Sequence, residues 1–376
     1  MGDYEIGRGV LEIDLGVLTT NIKVARSLIS AETRIMAVVK ADAYGHGILD
    51  VSKAAARAGV EWFGVATADE GATLRKGGIT QPILIMSPII GPGIKGIVTN
   101  GLTATVFSLD IARKLSDAGG GRVHIKIDTG MNRIGFRVND KKAVEVTCRE
   151  ILEISKMPNI MIEGIFSHFA SSESDPSFTA EQFQRFEAVC QKLEVMGINI
   201  PIKHISNSGG VLCHPEYNLD MVRLGVLMYG LSPCSTIRGA EKLAKMGVLP
   251  ALSLKASVGQ VKRIEAGESV GYGRKYVADR PMEVVTIPLG YADGISRQLS
   301  GKGKVLINGV LCPFVGNVCM DQLMVDATGA NARNGDEVTF IGNGISAEQV
   351  ADWQGSINYE VATSLSLRIQ RNSKYN

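Results

Sequence analysis

A short apolar run followed by an amphipathic helical stretch recurs through the first two thirds of the chain. This alternation constrains the fold more than any other feature. Apolar runs that suit strands fall at Arg34–Lys40, Trp62–Thr67, Ile83–Ser87, Thr103–Phe107, Arg122–Asp128, Ile160–His168, Ile202–Ser206 and Met221–Leu224. Helical spacing is clearest at Ile48–Ala58, Ala68–Lys76, Leu109–Ala118, Lys141–Met157 and Ala180–Met196. Near-continuous apolar strands mark a parallel sheet covered on both faces. Eight such units within about 240 residues have the count and size of a TIM (β/α)8 barrel, an α/β fold. A doubly wound sheet is the rival, but no GxGxxG follows the first strand.

Beyond about residue 245 the pattern changes to strand-like segments separated by Gly, Asn and Asp turns, at Leu252–Ile264, Met282–Pro288, Lys304–Ile307, Gly309–Phe314, Gln322–Asp326 and Glu337–Ile341. Only Ala347–Trp353 and Tyr359–Leu365 look helical there. The expected division is therefore a barrel over residues 1–245 and a mostly-β domain over 246–376. With 40 basic and 38 acidic residues, a net charge of +2 gives no ground for nucleic-acid or membrane-surface binding. No apolar run is long enough to span a membrane. The 6 cysteines (Cys148, Cys190, Cys213, Cys234, Cys312 and Cys319) show no paired spacing and read as reduced thiols. Nor does any spacing point to a metal. The first residues do not read as a signal peptide, so the expected location is cytoplasmic.

TIM-barrel active sites lie at the carboxyl ends of the strands, and those ends carry chemistry here. The first strand runs into Lys40 and the loop Ala41–Gly47; burial there lowers an amine's pKa and makes it a candidate nucleophile or base. A lysine snorkelling from a strand end is the plain alternative. The fifth strand leads to Asp128 and Arg133, which could form a simple ion pair, and the sixth to Ser167-His168. The seventh carries His204 and leads to Ser208-Gly209-Gly210, and the eighth passes through Arg223 to Gly225-Val226. Loops after strands seven and eight bind phosphate in many such barrels. A lysine opposite a phosphate cradle indicates pyridoxal phosphate held as a Schiff base.

The segments AVVKADAYGHG, KIDTGMNRIGF, EGIFSHFA, HISNSGG, VRLGVLMYG, VGYGRKY, GYADGISR, GNVCMDQLMVD and SINYEVA, in that order from residue 37 to 362, resemble the motif set of the alanine racemase family. The resemblance implies a pyridoxal-phosphate enzyme with an N-terminal barrel and a C-terminal β domain, working as a head-to-tail homodimer. It also implies that residues 1–14 pair with the β domain. Lys40 would carry the cofactor and act as one base, and Tyr272, from the other subunit, as the second. Tyr44, Ser208, Gly225, Val226 and Tyr359 match phosphate ligands, with Asn207 and His204 as supporting positions. Arg223 matches the arginine facing the pyridine nitrogen, and His168 with Arg223 would support Tyr272.

Arg133 resembles the arginine near the substrate carboxylate, and Lys126 a lysine that is carbamylated in some relatives. Met320, with Cys319 and Asp321 beside it, resembles a substrate contact from the partner subunit. Tyr291 and Arg297 match the access corridor. Two positions depart from the pattern: Asn317, where many relatives place arginine, and Gln370, where they usually place proline. The implied activity is interconversion of L- and D-alanine, supplying peptidoglycan. A racemase of serine or of broader range, a non-catalytic pyridoxal-phosphate carrier and a decarboxylase are the rivals. The complete second domain with Tyr272 weighs against the carrier, and the racemase-like VCMDQ around Cys319 against the decarboxylase.

Overall fold

Eight short strands run parallel in chain order: Arg34–Val38, Trp62–Val65, Ile83–Ile85, Ala104–Val106, Gly121–Asp128, Ile160–Phe166, Ile202–His204 and Met221–Leu224. They belong to a computed structural model that describes residues 7–375. The last strand pairs with the first, Val222 opposite Ile35. Two breaks in the ladder are bridged by two backbone bonds each, Ile85 N–H to Thr103 O and Asp220 N–H to Lys203 O among them. Thr103 N–H donates to Ile83 O at 2.8 Å, and Arg223 N–H donates to Ser206 O at 3.1 Å. The ring is thereby closed, which leaves no sheet edge. Met36, Trp62, Leu84, Phe166, Ile202 and Met221 pack as one buried cluster. The eight apolar runs are all strands: six are two residues shorter than their apolar stretches, Met221–Leu224 matches its stretch, and Gly121–Asp128 is one residue longer.

By internal contacts the chain forms two units. One holds residues 21–43 and 48–228; the other holds residues up to 20, 44–47 and 229–376. The long segment of that second unit begins at Tyr229. Tyr229 lies against His46, with ring centres 4.5 Å apart, and the helix Ile237–Lys245 packs on the helix Ala347–Gln354.

The second unit is built on a six-stranded sheet in the order Val310–Pro313, Lys304–Ile307, Glu337–Ile341, Leu252–Ser257, Gly9–Asp14 and Gln370–Lys374. Gly9–Asp14 lies antiparallel to Leu252–Ser257 and parallel to Gln370–Lys374, with Val10 opposite Gln370. Residues 1–6 of the amino-terminal stretch lie outside the described residues. The apolar stretch 252–264 is not one strand. It breaks at Val258-Gly259, where Val258 N–H turns to Asp336 O and Gly259 N–H to Thr286 O. Gln260–Ile264 then joins a separate three-stranded sheet with Met282–Ile287 and Leu323–Asp326. Among the described residues, no helix is long and apolar enough to cross a membrane.

Candidate active site

Lys40 stands two residues beyond the first barrel strand, half-buried, at the start of an unusual turn. Ala41, Asp42, Ala43 and Tyr44 have φ of 54°, 52°, 54° and 53°. Four successive L-residues in the left-handed region cost about 1–2 kcal/mol each, so the surroundings must impose the turn. Glu70 is one restraint: Oε1 accepts from Ala41 N–H and Oε2 from Ala66 N–H, both at 2.7 Å. Asp42 Oδ1 is another, accepting from Ile48 N–H at 2.8 Å. Burial, then the cations of Arg133 and Arg223, lower the Lys40 pKa against the opposing pull of Glu70. The amine is therefore biased toward its neutral, electron-pair-donating form.

Arg223 is the largest fully buried side chain of the barrel unit, 1% exposed. Its Nη1 donates to His204 Nδ1 at 2.9 Å. Its Nη2 donates to Ser167 O at 2.9 Å, Ile205 O at 2.7 Å and His168 Nδ1 at 3.1 Å. Nε is buried with no acceptor. Guanidinium has no lone pair to offer, so both histidines must accept at Nδ1 and, being neutral, carry their proton on Nε2. Burial first and the Arg223 charge second hold His168 and His204 well below the usual histidine value, and the same causes push His124 down to about 3. Burial and Arg133 lower Arg223 to about 9, which still leaves it protonated at neutral pH.

Lys126 is buried beneath this cluster, its Nζ donating to Ile127 O at 3.0 Å and standing 5.0 Å from the centre of the Phe166 ring. Burial, then Arg223, drive its pKa well below the ordinary lysine value, with Asp128 opposing. Asp128 is not paired with Arg133. Its Oδ1 accepts from Gly130 and Asn132 N–H, each at 3.0 Å, and so shapes the loop that presents the exposed Arg133.

The Ser208-Gly209-Gly210 segment is no open loop but the first turn of the helix Ser208–Cys213. Asn207 caps it, Oδ1 accepting from Gly210 N–H at 2.8 Å and from Ser172 Oγ at 3.0 Å. Ser208 Oγ accepts from Gly225 N–H at 3.0 Å and from Leu227 N–H at 3.3 Å, which ties together the loops after strands seven and eight. The hydroxyl proton of Ser208 is left to donate. Asn207 Oδ1 and the Gly225 N–H are thus engaged within the protein itself.

The second unit gathers the remaining candidates. Tyr44 packs on Tyr229 and Tyr359, ring centres 5.1 and 6.4 Å apart, and Tyr359 Oη donates to Pro233 O at 3.3 Å. Tyr272 (75% exposed) and Met320 (54%) line an open groove of about 940 Å³ together with Cys319 and Asp321. Asn317 Nδ2 donates to Tyr272 O at 3.0 Å, so this departure from the motif holds the backbone of the very loop that carries the tyrosine. Tyr291 and Ala292 N–H donate to Cys319 O and Met320 O, both at 3.0 Å. Behind them Asp293, fully buried, takes both Arg8 Nη atoms at 3.2 and 3.1 Å and Gly290 N–H at 2.9 Å. Arg297 is exposed, and its charge offsets part of the rise that burial gives the Cys319 thiol. Glu70, Asp293 and His124 were not singled out by sequence. The first had a readable signal, the capping box Thr67-x-x-Glu70.

An amine whose pKa burial lowers, at the carboxyl end of a (β/α)8 barrel and beside an arginine with one donor unspent, defines the class: a (β/α)8-barrel enzyme. A profile described as "Alanine racemase, N-terminal domain" matches residues 13–233, and one described as "Alanine racemase, C-terminal domain" matches 251–373. The alanine racemase of Methanococcus maripaludis is 40% identical over 371 residues, 96% of this chain and 97% of the relative. That of Clostridium perfringens is 40% identical over 376 residues, 97% of this chain and 95% of the relative. Among solved structures, the alanine racemase of Clostridium difficile 630 superposes with a TM-score of 0.90 at 35% identity, covering 100% of this chain and 97% of the other. That of the D-cycloserine producer Streptomyces lavendulae gives 0.91 at 31% identity, covering 98% of each. The chain belongs to the alanine racemase family.

Proposed function

We propose that this chain interconverts L-alanine and D-alanine by a two-base reaction with pyridoxal phosphate as cofactor. Arg223 carries the reading: its Nε is a buried donor without an acceptor, and a residue that can only donate suits an unprotonated pyridine nitrogen. The Lys40 amine, its pKa lowered by burial, suits the cofactor's carbonyl carbon, and the Ser208 hydroxyl proton suits a phosphate oxygen. Tyr44, Val226 and Tyr359 are assigned to the same phosphate from the motifs they stand in, with Gly225, Asn207 and His204 as framework. When bound, the cofactor supplies a sink for the electron pair left at Cα.

The protein's own groups move the proton. Racemisation needs one group on each face of the planar carbon, and we assign Lys40 Nζ to one face and Tyr272 Oη to the other. A phenol of ordinary pKa near 10 is a weak base at neutral pH. His168, its Nδ1 held by Arg223, has an Nε2–H to donate to that oxygen. Arg133 and the backbone of Met320 are assigned to the substrate carboxylate, and Tyr291 and Arg297, with Cys319 and Asp321 nearby, to the approach. Lys126 is assigned a carbamate. Its neutral amine attacks carbon dioxide, forms an N–C bond and releases a proton, leaving an anion among the cations of Arg133 and Arg223.

Tyr272 and Met320 stand on an open groove and, on this reading, serve the barrel of a second copy of the chain, so the working unit is a homodimer. The product would supply peptidoglycan, and the enzyme would work in the cytoplasm. The test is incubation with L-alanine in deuterium oxide, following optical rotation and the α-hydrogen, with L-serine in parallel. Loss of rotation with deuterium at Cα is expected, faster for alanine. Cofactor binding with both amino acids untouched would overturn the reading, and a faster serine reaction would overturn the substrate.

A further inference from the structure

A buried imidazole and a half-buried carboxylate lie at the far end of the hydrogen-bond chain that begins at Arg223. His204 accepts from Arg223 at Nδ1, so its single proton sits on Nε2, 2.9 Å from His124 Nδ1. His124 must then accept at Nδ1 and carry its own proton on Nε2. That Nε2 faces Glu163 Oε2 across 4.0 Å, and neither atom has a partner. A movement of about 1 Å closes the gap to hydrogen-bond length. The other carboxylate oxygen, Oε1, is held by Arg122.

The local backbone is built for this meeting. The register between Gly121–Asp128 and Ile160–Phe166 shifts between Val123 and His124, opposite Ile162 and Gly164, which leaves Glu163 as the extra residue of a bulge. A Cβ on Gly164 would lie 2.5 Å from the His124 ring, so only glycine admits the imidazole there.

We propose that His124 and Glu163 are positioning residues for Arg223. A guanidinium that only donates and a carboxylate that only accepts stand at opposite ends of a two-imidazole chain, and both dictate one proton order. With the order reversed, His204 would present Nδ1–H to the Arg223 N–H at 2.9 Å and push the guanidinium away. Glu163 thereby keeps His204 an acceptor and Arg223 seated, as outer carboxylates orient metal-bound histidines. Its catalytic consequence rests on the racemase reading; the proton order does not.

The test uses the full-length protein labelled with nitrogen-15 histidine, with and without pyridoxal phosphate, and long-range proton–nitrogen correlation. Wild-type His204 and His124 are expected as neutral Nε2–H tautomers in both states. Glu163→Leu is expected to give His204 a mixture of tautomers and to lower kcat about tenfold with KM within about twofold, and Glu163→Gln, whose carbonyl still accepts, to restore both. Should Glu163→Leu fail to fold, His124→Gln keeps an acceptor for His204 Nε2–H and is expected to preserve its tautomer. A wild-type His204 protonated on Nδ1, or a Glu163→Leu protein with His204 and kcat unchanged, overturns the proposal. A wild-type protein with the expected tautomers but no racemisation refutes the enzyme reading and leaves the relay standing.

Discussion

Asp293→Ala removes the one buried carboxylate that secures the turn behind Met320. Three sets of contacts go with it: two bonds from Arg8 at 3.2 and 3.1 Å, the Gly290 N–H bond at 2.9 Å, and the approach of Arg368 Nε at 3.5 Å. Gly290 is buried, and its stranded N–H costs about 1–3 kcal/mol. Arg8 and Arg368 are 41% and 44% exposed, so water screens what they lose, and each adds at most about 1 kcal/mol. The expected destabilisation is about 2–4 kcal/mol, read by urea unfolding. In a double-mutant cycle with Arg8→Ala, a coupling of about 1 kcal/mol is expected between the two sites. Because Cys319 O and Met320 O hang on the N–H groups of Tyr291 and Ala292, KM for alanine should rise several-fold as well. A loss below about 0.5 kcal/mol with KM unchanged would refute the account of Asp293 as the anchor.

The left-handed turn predicts that Ala41→Gly, usually a harmful exchange, raises stability by about 1 kcal/mol, because glycine pays no Cβ penalty at φ 54°; a lowered melting temperature would contradict the strain. Arg133→Leu should raise the Lys40 pKa, since one cation opposing the ammonium is gone. In the protein stripped of cofactor, the pH midpoint of aldehyde condensation should move upward, and a static or lowered midpoint would exclude Arg133 as a cause. His124, His168 and His204 bind protons far less readily when folded than their ordinary value of 6.5 allows. As pH falls below about 6.5 the unfolded chain takes up more protons than the folded one, so stability drops, by up to about 1.4 kcal/mol per pH unit for each imidazole. Urea unfolding at about pH 7.5 and pH 5.5 should show that loss, and His124→Gln should lessen it; equal stabilities would refute it.

The barrel is legible because its strands are mostly buried on both faces and so mostly apolar, wholly so in three-residue strands such as Ile83–Ile85 and in Trp62–Val65. The second unit is harder. Leu252 to Ile264 reads as one strand, yet Gly259 hands the chain from one sheet to another, and nothing local marks which partner each half will find. Lys40, His168 and Arg223 are visible at strand ends, but the turn after Lys40 is not. Ala-Asp-Ala-Tyr has no glycine, and its handedness is held by contacts beyond the turn, Glu70 on Ala41 N–H and Ile48 N–H on the Asp42 carboxylate. Asp293 could not be read either, since its partner Arg8 lies 285 residues away. Nor could the Arg223 relay be seen, for its direction emerges only when four side chains on separate strands are brought into line.

The chain passes between its two units at residues 20/21, 43/44, 47/48 and 228/229. The excursion Tyr44–Gly47 begins only four residues after the lysine. Its moorings are distant in sequence: Arg371 Nε donates to Gly45 O at 3.1 Å, and a Cβ on Gly45 would lie 2.3 Å from Ala362 O. The two units are therefore woven, not strung. Neither can be cut out, swapped for a homologous piece or inherited alone without unpicking the loop that carries the lysine. A chain shortened by its last strand would be expected to fail first at that loop, some three hundred residues upstream of the cut.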